Sequence, residues 1–124
     1  MNEKYERGAG VLCHISSLPN KYGIGSLGRE AYEFADFLKK SRVKYWQILP
    51  LVQTGYGDSP YQTVYCNSGN PYFIDLESLK EQGLLDEEEL QSAEMPAGDA
   101  DYETLYKNRY NVLRLAYARF NVKD

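Results

Sequence analysis

Soft metal ligands are scarce in this 124-residue chain, which has one histidine, His14, and two cysteines, Cys13 and Cys66. A multi-histidine metal site is excluded, and a cysteine–histidine nucleophile pair has little support. The cysteines lack metal-ligand spacing and read as free thiols of a reducing compartment. No apolar run approaches the ~20 residues that span a bilayer. The start, Met1-Asn2-Glu3-Lys4, leads into no apolar signal core, so export is not expected. Basic excess is missing too: the net charge is −4, which argues against nucleic acid or an anionic membrane as partner. Internal repeats and low-complexity segments are absent.

What remains is an ordinary soluble composition, 43% apolar and 26% charged, long enough for one domain. Tyrosine is the outlier, with 12 residues. Tyr56, Tyr61, Tyr65 and Tyr72 cluster among Gly, Pro, Asn and Ser, where loops are expected. The stretch Gly55-Tyr56-Gly57-Asp58-Ser59-Pro60-Tyr61-Gln62 follows an apolar run that ends at Leu49-Pro50-Leu51. A strand that feeds a loop of rings and hydroxyls is a way to build a binding site. Such rings suit sugars, whose C–H faces lie on aromatic surfaces while their hydroxyls take hydrogen bonds.

Two continuously apolar runs, residues 10–15 and 45–51, predict buried strands. Between them Ala31, Phe34, Ala35 and Leu38 fall at i, i+3, i+4 and i+7 and predict a helix over 29–41. Strand, helix, strand is the signature of a parallel sheet, covered on both faces. Residues 54–71 read as a long loop and 72–76 as a short strand or extended segment. A short helix over 76–82 should end at Gly83. Asp86 and Glu89 form a capping pair at a second helix start, so the acidic run there reads as a solvated helix end. A long helix over 102–120 should bury Leu113, Ala116, Tyr117 and Phe120. Two or three strands leave bare edges, and a closed parallel barrel needs about 250 residues. The chain therefore reads as the opening of a larger α/β domain.

Five motifs identify a resemblance. Residues 7–18 (RGAGVLCHISSL), 22–28 (YGIGSLG), 45–51 (YWQILPL), 55–62 (GYGDSPYQ) and 69–75 (GNPYFID) occur in this order, at similar spacing, in amylomaltases, also called 4-alpha-glucanotransferases or disproportionating enzymes. The resemblance covers nearly the whole chain and implies the N-terminal segment, residues 1–124, of a (β/α)8 TIM barrel. It implies transfer of α-1,4-glucan segments to an acceptor sugar by a retaining mechanism, in the cytoplasm, without cofactor or metal. The two catalytic carboxylates of such a mechanism stand about 5–5.5 Å apart. The family carries them on later strands, so this chain is expected to hold no catalytic residue and to need the remainder of the barrel.

By resemblance Tyr61 stacks beneath a sugar next to the scissile bond; the plain alternative is a tyrosine packed on the barrel rim. Ser59 either bonds a sugar hydroxyl or serves its own turn before Pro60. Asp58 reads as a turn or sugar-hydroxyl contact rather than a catalytic acid. Tyr56 and Tyr106 resemble tyrosines flanking a second glucan groove, while Tyr106 also suits a helix face half in the core. His14 reads as a buried histidine satisfied by backbone carbonyls, Trp46 as core, and Asn70 as a turn anchor. A non-catalytic carbohydrate-binding domain is the rival function. Gly23-x-Gly25-x-x-Gly28 matches a dinucleotide fingerprint, but its loop is too long and no acidic residue is suitably placed downstream.

Overall fold

The computed structural model describes residues 5–53, 59, 61 and 67–122. Two strands, β1 (Gly10–Leu12) and β2 (Tyr45–Gln47), form a parallel pair in the register Gly10 to Tyr45, Val11 to Trp46 and Leu12 to Gln47. Helix α1 (Arg29–Lys40) crosses between them. After the segment that follows β2 come a 3-10 turn at Pro71–Phe73 and three helices, α2 (Leu76–Glu81), α3 (Glu87–Ser92) and α4 (Tyr102–Val122).

Local chemistry explains the helix ends. Asp75 caps α2 by accepting the Ser78 N–H at 3.0 Å, and Gly83, at φ 71°, takes the left-handed turn after it. At α3 the expected capping box is present. Asp86 accepts the Glu89 N–H, and Glu89 accepts the Asp86 N–H, both at 2.9 Å. Asp101 starts α4 by accepting from the Thr104 hydroxyl at 2.6 Å.

Three sequence expectations need correction. The strands are shorter than expected and are not covered on both faces. Exposure alternates along each, and Leu12 is 62% exposed. Helix α1 covers one face, where Phe34 meets Trp46 edge-on at 4.9 Å; no described element covers the other. Residues 71–73 are a 3-10 turn, not a strand, because Asn70 caps it and Pro71 fixes its first turn. In α4 the buried stripe is Leu105, Arg109, Val112 and Ala116, whereas Tyr117 is 67% exposed and Phe120 also faces solvent. Of the face expected from sequence, Ala116 is buried and Leu113 packs against a core cluster, while Tyr117 and Phe120 turn to solvent and Arg109 joins the packed stripe instead.

That arginine sits where two cores meet. One cluster joins Tyr22, Leu76, Leu84, Leu85, Leu90, Val112 and Ala116. The other joins Ile15, Leu18, Ile24, Ala31, Tyr72, Phe73 and Leu105. Between them Arg109, 1% exposed, donates to the Ile74 carbonyl at 3.1 Å and the Tyr22 carbonyl at 3.2 Å. Burial pushes its pKa down to about 10, opposed by the Asp75 carboxylate, so it stays charged at neutral pH. Arg109→Met keeps the volume but leaves two carbonyls without donors, and should lower stability by about 2–3 kcal/mol, read as a fall in urea midpoint.

Candidate functional site

The glycine motif of residues 23–28 is a packing device. A Cβ on Gly25 would lie 1.9 Å from the Ile15 carbonyl oxygen, and one on Gly28 would lie 2.4 Å from the Asp75 carboxylate. Close approach lets buried Ser26 donate to Asp75 at 3.1 Å and receive from Asn20 at 3.2 Å. The glycines are filled from inside the protein, which removes the physical basis for a phosphate cradle.

The loop of residues 54–71 is framed at both ends. At its entrance His14 accepts the Leu49 N–H on Nδ1 at 3.1 Å. Gln53 hydrogen-bonds the Tyr110 side chain. At its far end the Asn70 N–H donates to the Leu51 carbonyl at 2.9 Å, closing the loop's two ends on each other. The buried Asn70 side chain accepts the Tyr72 N–H at 3.0 Å, so it is a turn anchor. His14 was expected to bond backbone carbonyls. Instead its ring nitrogen accepts from an amide, and burial lowers its pKa below the ordinary 6.5.

An aromatic wall stands beside this frame. Tyr102, Tyr106 and Tyr110, four residues apart on α4, share one side of the helix. The Tyr72 ring lies 6.2 Å from Tyr102 and 5.9 Å from Tyr110, and Tyr106 lies 4.9 Å from Tyr110. Tyr72 is buried, Tyr110 half-buried and Tyr106 57% exposed, so the wall runs from core to solvent. Burial raises the Tyr110 pKa and keeps its phenol neutral.

Of the residues singled out from sequence, Tyr61 is 71% exposed, so its ring is not packed into this chain. Its N–H donates to the Ser59 hydroxyl at 3.4 Å, a long contact in which Ser59 serves its own turn. Tyr106 stands on the aromatic wall. Asp58 and Tyr56, with Tyr65 and Cys66, lie outside the described residues. Cys13 is a free thiol. Trp46 is half-buried, and its Nε1–H donates to the Cys13 carbonyl at 2.7 Å. Sequence reasoning missed Arg109 and Gln53; nothing in their spacing distinguishes them from solvated polar residues.

A groove of about 1400 Å3 lies elsewhere, between residues 16–24, α1, α2 and residues 96–102. It touches neither Ser59 nor Tyr61. Arg29 pairs there with Glu30 and Glu33, and Lys21 with Glu77 and Glu94. No buried side-chain polar atom among the described residues lacks a hydrogen-bond partner. Size alone therefore does not make this groove the candidate; the framed loop and the aromatic wall do. No described helix is long and apolar enough to cross a membrane.

Comparison with known proteins points the same way. A family model described as 4-alpha-glucanotransferase matches residues 13–124. A 4-alpha-glucanotransferase of Clostridium butyricum is 56% identical over 115 residues, covering 90% of this chain and 23% of the relative. One from Thermus thermophilus is 47% identical over 117 residues, covering 94% and 23%. Among solved structures, an amylomaltase from Streptococcus agalactiae in complex with acarbose superposes with a TM-score of 0.89. It is 42% identical and matches 96% of this chain and 24% of that one. The chain thus spans about a quarter of the length of the curated relatives it matches.

The frame gives a direct stability test. Asn70→Ala removes the acceptor for the Tyr72 N–H and should cost about 1 kcal/mol, measured by thermal or urea unfolding.

Proposed function

This chain belongs to the 4-alpha-glucanotransferase family, and from that premise we propose that it is the N-terminal segment of a (β/α)8 glucanotransferase barrel and forms one wall of the glucan cleft. The observation that carries this reading is the half-covered parallel ladder. Among the described residues, the two-stranded parallel sheet with Leu12 exposed has no second covering layer of the kind parallel sheets require. The remaining strands of the longer protein are the partner that would supply it.

The whole enzyme, on this reading, transfers α-1,4-glucan segments to an acceptor sugar by retaining double displacement. Its nucleophile and acid/base lie in the part beyond these residues, and the reaction takes place in the cytoplasm. This chain contributes binding and not bond cleavage. Tyr61 offers an exposed ring for a sugar face, with Ser59 as a polar neighbour in the same turn, and Asp58 is proposed as a further sugar-hydroxyl contact. Tyr106 and Tyr56 form the accessory glucan contact. For Tyr106 that role is supported by its 57% exposed place on the aromatic wall of α4. The acarbose complex of the amylomaltase neighbour is consistent with a glucan-like ligand.

Tyr61→Ala in the full-length enzyme should lower transfer from maltotriose at least about tenfold, equivalent to ~1.4 kcal/mol of binding to the reacting sugar. Unchanged kinetics would sink the assignment. For the rival, a self-standing carbohydrate-binding domain, amide NMR of this chain with a long maltooligosaccharide decides. Dispersed peaks that shift at Tyr61 favour the rival, and an aggregated spectrum favours the incomplete barrel.

A further inference from the structure

The parallel ladder ends at one rung, where the Cys13 N–H donates to the Gln47 carbonyl at 3.0 Å. Beyond it the strands diverge. The chain after β1 enters the 3-10 turn at Ile15–Ser17, and the chain after β2 runs on through Ile48 and Leu49 to Pro50. Two side chains carry the pairing past the last rung. The Trp46 Nε1–H reaches back to the Cys13 carbonyl at 2.7 Å, and the Leu49 N–H reaches His14 Nδ1 at 3.1 Å. Pro50 has no N–H, so Leu49 supplies the amide donor at this bend. A half-buried amide needs a partner, and the diverging main chain offers none here.

We propose that His14 is a positioning residue: a latch whose neutral imidazole fixes the exit of β2, and with it the loop carrying Tyr61, to the exit of β1. The hydrogen bond demands one protonation state. An accepting Nδ1 leaves the proton on Nε2. Protonating Nδ1 sets a donor against a donor and breaks the contact. The surroundings favour the neutral ring. Phe73 stands edge-on at 5.3 Å, Leu49 presents its amide, and the one titratable neighbour on the same segment is the Cys13 thiol, 3.8 Å from the His14 carbonyl. Burial is the cause of the lowered pKa, with no contribution from a charged side chain among the described residues. Because the folded pKa lies below the unfolded 6.5, the latch contributes fully above about pH 6.5. Its contribution is lost as pH falls through the folded value.

The latch rests on strand geometry. Only its consequence for glucan rests on the proposed function, and its test uses no activity. In the full-length protein, nitrogen-15 histidine labelling follows the imidazoles by NMR, and the His14 signal is assigned through its contacts with the Leu49 amide and the Phe73 ring. The expected result is the Nε2-protonated tautomer at neutral pH, a midpoint below 6.5, and a Leu49 amide signal that moves with that midpoint. His14→Asn offers a carbonyl oxygen near the Nδ1 position. It should keep the Leu49 amide protected and abolish the pH response. His14→Ala should speed Leu49 amide exchange about tenfold. An Nδ1-protonated ring at neutral pH, or a Leu49 amide indifferent to the His14 titration, overturns the latch. The wild-type spectra decide even where a variant misfolds. A chain that passes but shows no glucan response at Tyr61 loses the glucan reading and keeps the latch.

Discussion

The buried guanidinium of Arg109 is the constraint on which the rest of this fold depends. Two loop segments that hold no strand or α-helix, residues 18–28 and 67–75, must lie against each other and against α4. Their backbone groups need partners once buried. Arg109 donates to a carbonyl of each loop, at Tyr22 and Ile74, from the helix that also carries Leu105 and Val112 into the two cores. Apolar side chains at this junction would fill the space but leave both carbonyls unpaired. A planar, permanently charged donor meets both needs, and Asp75 offsets part of its desolvation. The same Asp75 caps α2 and receives Ser26, so helix start, glycine loop and α4 are set by adjoining groups. A second arginine repeats the logic at lower burial. Arg119 grips Glu89 with two 2.6 Å bonds and the Leu84 carbonyl at 2.9 Å, tying α3 to the far end of α4.

This internal order contrasts with the sheet. The helical part has complete cores, capped helices and no orphan buried side-chain polar atom among the described residues. The parallel pair has a packed face toward α1 and an open face with Leu12 on it. Among the described residues the α4 side is covered and the strand side is open, an asymmetry that the proposed place of this chain in a longer barrel would account for.

What the sequence revealed, it revealed through local chemistry. The Asp86–Glu89 box, the stop at Gly83 and the extent of α1 depend on residues within one turn of each other, and each was legible. Tertiary pairing was not. The α4 spacing Leu113, Ala116, Tyr117, Phe120 is a valid helical face, but packing chose the stripe through Arg109, which no hydrophobic pattern nominates. The strands read as fully buried because continuous apolar runs are the signature of parallel strands covered on both faces, whereas here one face carries exposed Leu12. His14 was placed correctly at the end of β1. Its partner was missed, because acceptance from an amide 35 residues away leaves no trace in spacing. The motif of residues 55–62 marked the candidate loop by composition, and the frame around it came from Gln53, Asn70 and Tyr110, which composition treats as ordinary.

A loop meant to bind a flexible chain of sugars gains from being held before the ligand arrives, since ordering it on binding would subtract from affinity. Here the chain is held on either side of residues 54–66. Leu49 is fixed to His14, the Leu51 carbonyl to the Asn70 N–H, and Gln53 to Tyr110. Three contacts on one side of the loop come from three different elements, β1, the 3-10 turn and α4. Each of those elements is in turn anchored in a core, through Ile15, Phe73 and Leu105 of the same cluster. Displacing the loop entrance therefore means disturbing that cluster, which costs more than moving a loop tethered to one helix. Tyr61 stands 71% exposed on this fixed base. An exposed ring ordinarily loses contacts to water and gains nothing in stability. On the proposed reading, a sugar face lying flat against this ring is the partner that uses it.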